Sequence, residues 1–269
     1  MAEESLLWLA ILGYLLAGLV SVIVVIFNRG WERILLLLLS MGLILHGLSL
    51  GLRWQRLGHG PFISMFEILS SNLWSLTLAV TLFVWFYPTL RATSVVLLPT
   101  LLVLMGWMMV SSSADTAIPP TYDTIWLYVH IGFGKIALGA ILVAVGIGGI
   151  IVMRSLGSLA RHVQRLPDNS RLDELSYRFA ALGFIFHSLM LVAGAIWSLD
   201  AWGRYWSWDP LETWTLHTWL LLALYLHLRP LFRPPPMVGA LLIWVIFTFA
   251  FLVFFGVPFL SRAPHQGVV

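Results

Sequence analysis

The chain has no cysteine and very little charge. Without cysteine it cannot exchange thiols, close a disulfide or bind iron through a thiolate, so any thiol chemistry it serves belongs to a substrate or partner. Of its 269 residues only 10% are charged against 60% hydrophobic, and the mean hydropathy is +0.93. A soluble domain of this size has no use for so much apolar surface, which leaves a polytopic membrane protein. The formal net charge of +3 gives no reason to expect a nucleic-acid partner. No internal repeat, low-complexity tract or separate soluble domain is evident, so residues 1–269 read as one membrane domain.

Apolar runs long enough to span lie near 5–27, 34–52, 65–87, 93–111, 125–153, 178–197, 212–229 and 237–258. The fold expected is all-α, a membrane bundle of about eight transmembrane helices. The first run follows Glu3 and Glu4 rather than a basic region, and it is too long for a signal-peptide core, so it reads as a retained span. One set of connections holds ten arginines: Arg29, Arg33, Arg91, Arg154, Arg161, Arg165, Arg171, Arg178, Arg229 and Arg233. The other holds four, Arg53, Arg56, Arg204 and Arg262, with Lys135 left inside the fifth span. The positive-inside rule makes the ten-arginine side cytoplasmic and puts both termini outside.

Six of the 14 tryptophans fall within residues 197–219. The first part of that stretch, 198–211, is too polar and too broken by Gly203 and Pro210 to cross a bilayer, so it is expected as an outer loop. Interfacial belts account for one or two tryptophans. Trp206 and Trp208 around Arg204 and Asp209 are denser than that, and such a shelf of indoles grips a flat apolar ligand. The run WGRYWSWDPLETWTLHTWL resembles the tryptophan-rich "WWD" signature of the haem-handling proteins of cytochrome c biogenesis. Within that superfamily it is most similar to the CcsA (ResC) branch of system II, with Leu211 standing where a lysine is usual. The basic, glycine-containing turn Arg53–Pro61 followed by Glu67 is also similar to the family, and reads equally as an ordinary capped turn. The string LDELSYR matches the family in the longest basic connection. There an amphipathic surface helix is expected before Pro167, and a capping box of Ser170 and Asp173 after it.

Haem needs axial ligands, and in a chain without cysteine histidine is the natural one, with methionine as the other option. His130 and His265 fall on the side of the Trp-rich loop. From the residues alone they read as a pair of axial imidazoles or as a core histidine and a solvated tail residue. The resemblance maps both onto family histidines, one before the Trp-rich region and one in the C-terminal tail. His227 lies roughly 25 Å below Leu211 by helical rise, too far to share their iron. It matches a family histidine taken as a ligand for haem inside the membrane. His46 and His187 are alternatives for its second ligand, His46 being favoured; a partner residue is a third. His59 and His162 read as solvated, and His217 as lining the outer cavity.

The resemblance implies haem b, bound non-covalently and also the substrate. It implies that haem is carried or presented to apocytochrome c and joined to its Cys-x-x-Cys-His segment outside the membrane, which makes the chain a component of a cytochrome c synthetase (haem lyase). Trp202, Trp206 and Trp208 would hold the macrocycle, with Arg204 at a propionate or paired with Asp209. It further implies a CcsB (ResB)-like membrane partner and a place among the lipids of a bacterial inner membrane. The alternatives are a b-type electron-transfer cytochrome and a transporter or scaffold without haem.

Overall fold

The computed structural model describes residues 2–27 and 30–256, and among these the chain is helical with no strand. Eight long helices follow one another: α1 (Ala2–Phe27), α2 (Glu32–Leu57), α3 (Met65–Phe86), α4 (Ser94–Val110), α5 (Ile125–Ser155), α6 (Asn169–Trp202), α7 (Pro210–Phe232) and α8 (Pro236–Phe255). A 3-10 segment, Pro88–Thr93, leads into α4, and a single turn, Gly157–Ala160, follows α5. All but α7 give a segment long and apolar enough to cross a membrane. The seventh expected span, 212–229, is a helix but not one of these apolar segments. At 23 residues α7 has the length, but Glu212, three threonines, His217, His227 and Arg229 dilute its apolar content.

The helix ends are set by local chemistry. At the start of α3, Ser64 Oγ accepts from the Glu67 amide and Glu67 Oε2 accepts from the Ser64 amide, a reciprocal cap. The other oxygen of Glu67 takes Arg53 Nε at 2.9 Å, so this carboxylate also joins α2 to α3. Asp168, not Ser170, caps α6, because its side chain reaches the Arg171 amide while Ser170 already lies inside the helix. The amphipathic helix expected before Pro167 is reduced to the single turn Gly157–Ala160, followed by irregular turns. Arg154 gathers the carbonyls of Val163, Leu166 and Pro167 onto its guanidinium, which holds this segment as a series of turns.

Three connections meet at one end of the bundle. Arg53 donates to the carbonyls of Ser113 and Ala114, Trp54 stacks on Tyr128, and Trp197 Nε1 donates to the Tyr122 carbonyl. The Trp-rich connection is one of the three, and the arginine-rich turns lie at the other end. At the centre α5 packs along α6 and against α3, α4 and α8. Glycines allow that closeness: a Cβ on Gly146 or Gly149 would fall about 2.5 to 2.6 Å from the side chains of Leu97 and Val96 on α4.

A candidate ligand cavity at the tryptophan-rich end

The expected loop 198–211 is shorter in the structure. Helix α6 runs through to Trp202 and ends on Gly203, whose left-handed φ of 77° a side chain would strain. Ser198 is buried and its hydroxyl turns back to the Arg204 carbonyl, so five residues of the expected loop belong to the last turns of a helix. The connection proper is 203–209. It closes on Asp209, whose carboxylate accepts from the Glu212 amide at 2.9 Å and caps α7, with Pro210 at the first helical position.

Under this connection lies a cavity of about 240 Å³ between α3, α5, α6 and α7. Ile63, Ile68, Leu127, Ile131 and Leu191 give it apolar walls, and Tyr205, 58% exposed, stands at its mouth with Trp206. His130 faces it from α5. The His130 ring lies parallel to Trp197, centroids 6.1 Å apart and planes 17° apart. Its Nδ1 is 2.9 Å from the Met190 carbonyl. A carbonyl only accepts, so Nδ1 carries the proton and the lone pair sits on Nε2, the form in which imidazole binds a metal. Trp197 is itself fixed by its bond to Tyr122 and by edge contacts with Tyr122 and Trp202.

A second space of about 470 Å³ lies at the same end between α1, α2 and the 111–115 segment. Among its charged groups, Arg53, Arg56, Glu3 and Asp115 are already paired with one another. The Arg56 guanidinium holds the Asp115 carboxyl below its ordinary range. The cavity beside His130 differs in that polar atoms buried at its wall, Trp206 Nε1 and Glu212 Oε1, have no partner among the described residues.

The model of the family described as "Cytochrome C assembly protein" matches residues 34–265. The chain belongs to this family. It is 31% identical to the cytochrome c biogenesis protein CcsA of Chlamydomonas reinhardtii, over 79% of this chain and 62% of that protein. It is 30% identical to CcsA of Synechococcus sp. (strain CC9605), covering 72% of this chain and 73% of the relative. CcsA of Porphyra purpurea is 29% identical with nearly full coverage, 99% and 97%. Among solved structures, one titled "Cytochrome c Heme Lyase CcmF" superposes with a TM-score of 0.74 at 17% identity. That superposition covers 98% of this chain but 47% of the other, and at such identity it speaks to the fold alone. The protein is thus a CcsA-type integral membrane protein of cytochrome c biogenesis.

In this cytochrome c assembly protein His130 and Trp206 line the cavity, and the other residues expected at the site are placed differently. Trp202 packs edge-on against Trp197, behind His130. Trp208 is 69% exposed with a left-handed φ of 59°, and only Trp206 among the tryptophans of the connection reaches the cavity wall. Arg204 is exposed on the connection, and Asp209 is buried as a helix cap. His265 lies outside the described residues, as do Arg29, Arg262 and the end of the last expected span. His46 is fully buried, with Nε2 2.9 Å from Ser70 Oγ and Nδ1 3.3 Å from Tyr14 Oη. Both its nitrogens are engaged between α1 and α3, which makes it a core histidine rather than an open ligand for an inner haem. His187 is likewise buried, against the Thr215 carbonyl. His227 is exposed on α7, its Nδ1 donating to the Ala223 carbonyl at 2.7 Å. His59, expected in solvent, is buried between the carbonyls of Gly60 and Thr116. His217 is exposed beside Trp214 rather than in the cavity. Two residues that sequence reasoning passed over do line it: Lys135 and Glu212.

Proposed function

We propose that this CcsA-type protein holds haem in the cavity beside His130 and presents it to the Cys-x-x-Cys-His segment of an apocytochrome c for covalent attachment. The observation that carries this is the His130 imidazole. It is oriented by the Met190 carbonyl, stacked on Trp197 and faces an apolar cavity next to the Trp-rich connection. Its Nε2 would take one axial position of the haem iron and His265 the other, keeping oxygen from an open coordination site. Attachment adds each cysteine S–H across a vinyl double bond: a C–S bond forms, the proton goes to the neighbouring vinyl carbon, and no electrons are gained or lost. The protein's contribution is orientation and shielding rather than acid–base chemistry. The incoming substrate histidine displaces one axial imidazole, which ties release to engagement of the right segment.

In this reading the Trp-rich end faces outward from a bacterial inner membrane, His227 receives haem nearer the cytoplasmic side, and a CcsB-like membrane protein supplies what this chain lacks. The absorption spectrum of the purified protein tests it. Wild type is expected to show a six-coordinate haem. His130→Ala is expected to lose it, with recovery on adding imidazole. Unchanged haem content in a chain carrying both His130→Ala and His265→Ala would refute the reading. A haem-containing protein that fails to complement cytochrome c assembly would point instead to the b-type cytochrome.

A further inference from the structure

Lys135 lies five residues beyond His130 on α5, roughly 7.5 Å deeper along the helix axis, and lines the same cavity. Its ammonium donates to Ser71 Oγ at 3.0 Å and sits 5.5 Å from the centre of the Phe62 ring. Among the described residues no carboxylate lies within ion-pair distance of it; the ion pairs there join Arg53, Arg56, Arg178 and Arg229 to their acids. A cation within a membrane span is costly unless something neutralises it, and Glu212, the carboxylate that lines the same cavity, is bound to the Ser207 amide at the connection, so an anionic occupant is the group that would meet Lys135 at depth. A hydroxyl and an aromatic face ease the cost without cancelling the charge. Lys135 is also on the deep side of the cavity, whereas Tyr205 and Trp206 are at its mouth.

Resting on the haem reading above, we propose that Lys135 is the counter-charge for a propionate of the substrate porphyrin and thereby decides which edge of the macrocycle enters the membrane. Protoporphyrin carries both carboxylates on one edge and its vinyl groups away from it. With iron on His130 and that edge drawn down to Lys135 and Ser71, the vinyl groups turn to the mouth, where thiols of an incoming polypeptide arrive. Lys135 is then a positioning residue. It touches the substrate far from the reacting carbons and acts through orientation alone. Arg204, a basic residue exposed on the connection, would hold the same carboxylate in the opposite sense, vinyl edge inward.

The test compares two porphyrins on the purified full-length protein: ferric protoporphyrin IX and its dimethyl ester, each titrated by the growth of the Soret band. Wild type is expected to prefer the free acid by about 30-fold or more, the scale on which a desolvated charge pair loses one partner. Lys135→Met is expected to abolish the preference by weakening the free acid alone, with the Soret position and the affinity for the ester unchanged. Lys135→Arg is expected to keep most of it, and Arg204→Ala all of it. A wild-type protein that binds both porphyrins equally would overturn the role of Lys135 while leaving haem binding intact. So would a Lys135→Met protein that weakens both alike, or loss of the preference in Arg204→Ala instead. A wild-type protein that takes up neither porphyrin would overturn the haem reading itself, and this assignment with it.

Discussion

His130 keeps its ring parallel to Trp197 because the residue facing it on α6 has no side chain. A Cβ on Gly194 would lie 2.6 Å from His130 Nδ1 and 2.8 Å from Cε1, closer than real contacts allow, and of the two the imidazole, free to turn about its side-chain bonds, is what has to give way. Gly194→Ala is therefore expected to push the imidazole off the Met190 carbonyl while leaving the bundle folded, since alanine suits a helix better than glycine. The measurement is the haem spectrum against the thermal unfolding midpoint. A shifted or lost axial-ligand signature with an unchanged midpoint is expected; an unaltered spectrum would show that the ring has room the geometry denies it. Of the residues around this ring, only His130 itself was legible in the sequence, because a histidine near the end of an apolar span is rare enough to stand out. Gly194 was not, since the space a glycine leaves is defined by a neighbouring helix, α5, that is distant in the sequence. Lys135 was visible as an oddity, but one-dimensional spacing could not say that it shares a cavity with His130. Trp208 was the converse case. Density of tryptophans marks a surface without saying which indoles turn inward, and a left-handed φ turned this one out.

The elements nearest the cavity are joined by caps and ion pairs as well as by apolar contact. Arg53 is the clearest instance. Only 4% exposed, it reaches Glu67 on α3 at 2.9 Å, Glu3 on α1 at 3.1 Å and the Ser113 carbonyl at 3.2 Å, so one guanidinium fastens three elements. Glu67 is fully buried and also accepts from the amides of Ile63 and Ser64, which fixes the turn beside the cavity wall at Ile63. Arg53→Leu leaves that carboxylate buried without its cation, a change that costs about 3–5 kcal/mol when a buried pair loses one member. A lower unfolding midpoint in detergent is expected for Arg53→Leu, and a smaller loss for Arg53→Leu combined with Glu67→Gln. Equal losses in the two proteins would show that the pair is not coupled. The caps explain where sequence reading of the elements held and where it slipped. Ser64 and Glu67 sit three apart ahead of an apolar run, and α3 begins where that pattern puts it. For α6 the same pattern at Ser170 and Asp173 was a false start, because Asp168 lies two residues upstream and takes the role first. At the other end polarity alone suggested that α6 stops before Ser198, whereas Gly203 is what stops it. In a membrane bundle the polar residues of a last helical turn are read as loop unless the left-handed cap is given more weight than hydropathy.

The eight helices form one bundle whose two ends differ chemically. One end gathers the aromatic connection, the cavity and the paired charges of Arg53, Arg56, Glu3 and Asp115, and the other gathers the arginine-rich turns. By the positive-inside rule such a molecule is expected to keep its basic turns in the cytoplasm, which is the orientation the proposal adopts. The proposed chemistry depends on that orientation, because a cavity open to the cytoplasm would present haem to the wrong compartment. The chain's lack of cysteine makes this directly testable, since any thiol introduced is the only one present. Arg204→Cys places a thiol on the exposed connection over the cavity, and Arg165→Cys places one on the exposed turn at the opposite end. In intact cells a membrane-impermeant maleimide is expected to label the first protein and not the second, with the second labelled once the membrane is permeabilised. The reverse pattern would put the cavity's mouth in the cytoplasm. In that case His130 and Lys135 could still bind a porphyrin, but not for attachment to a protein on the far side.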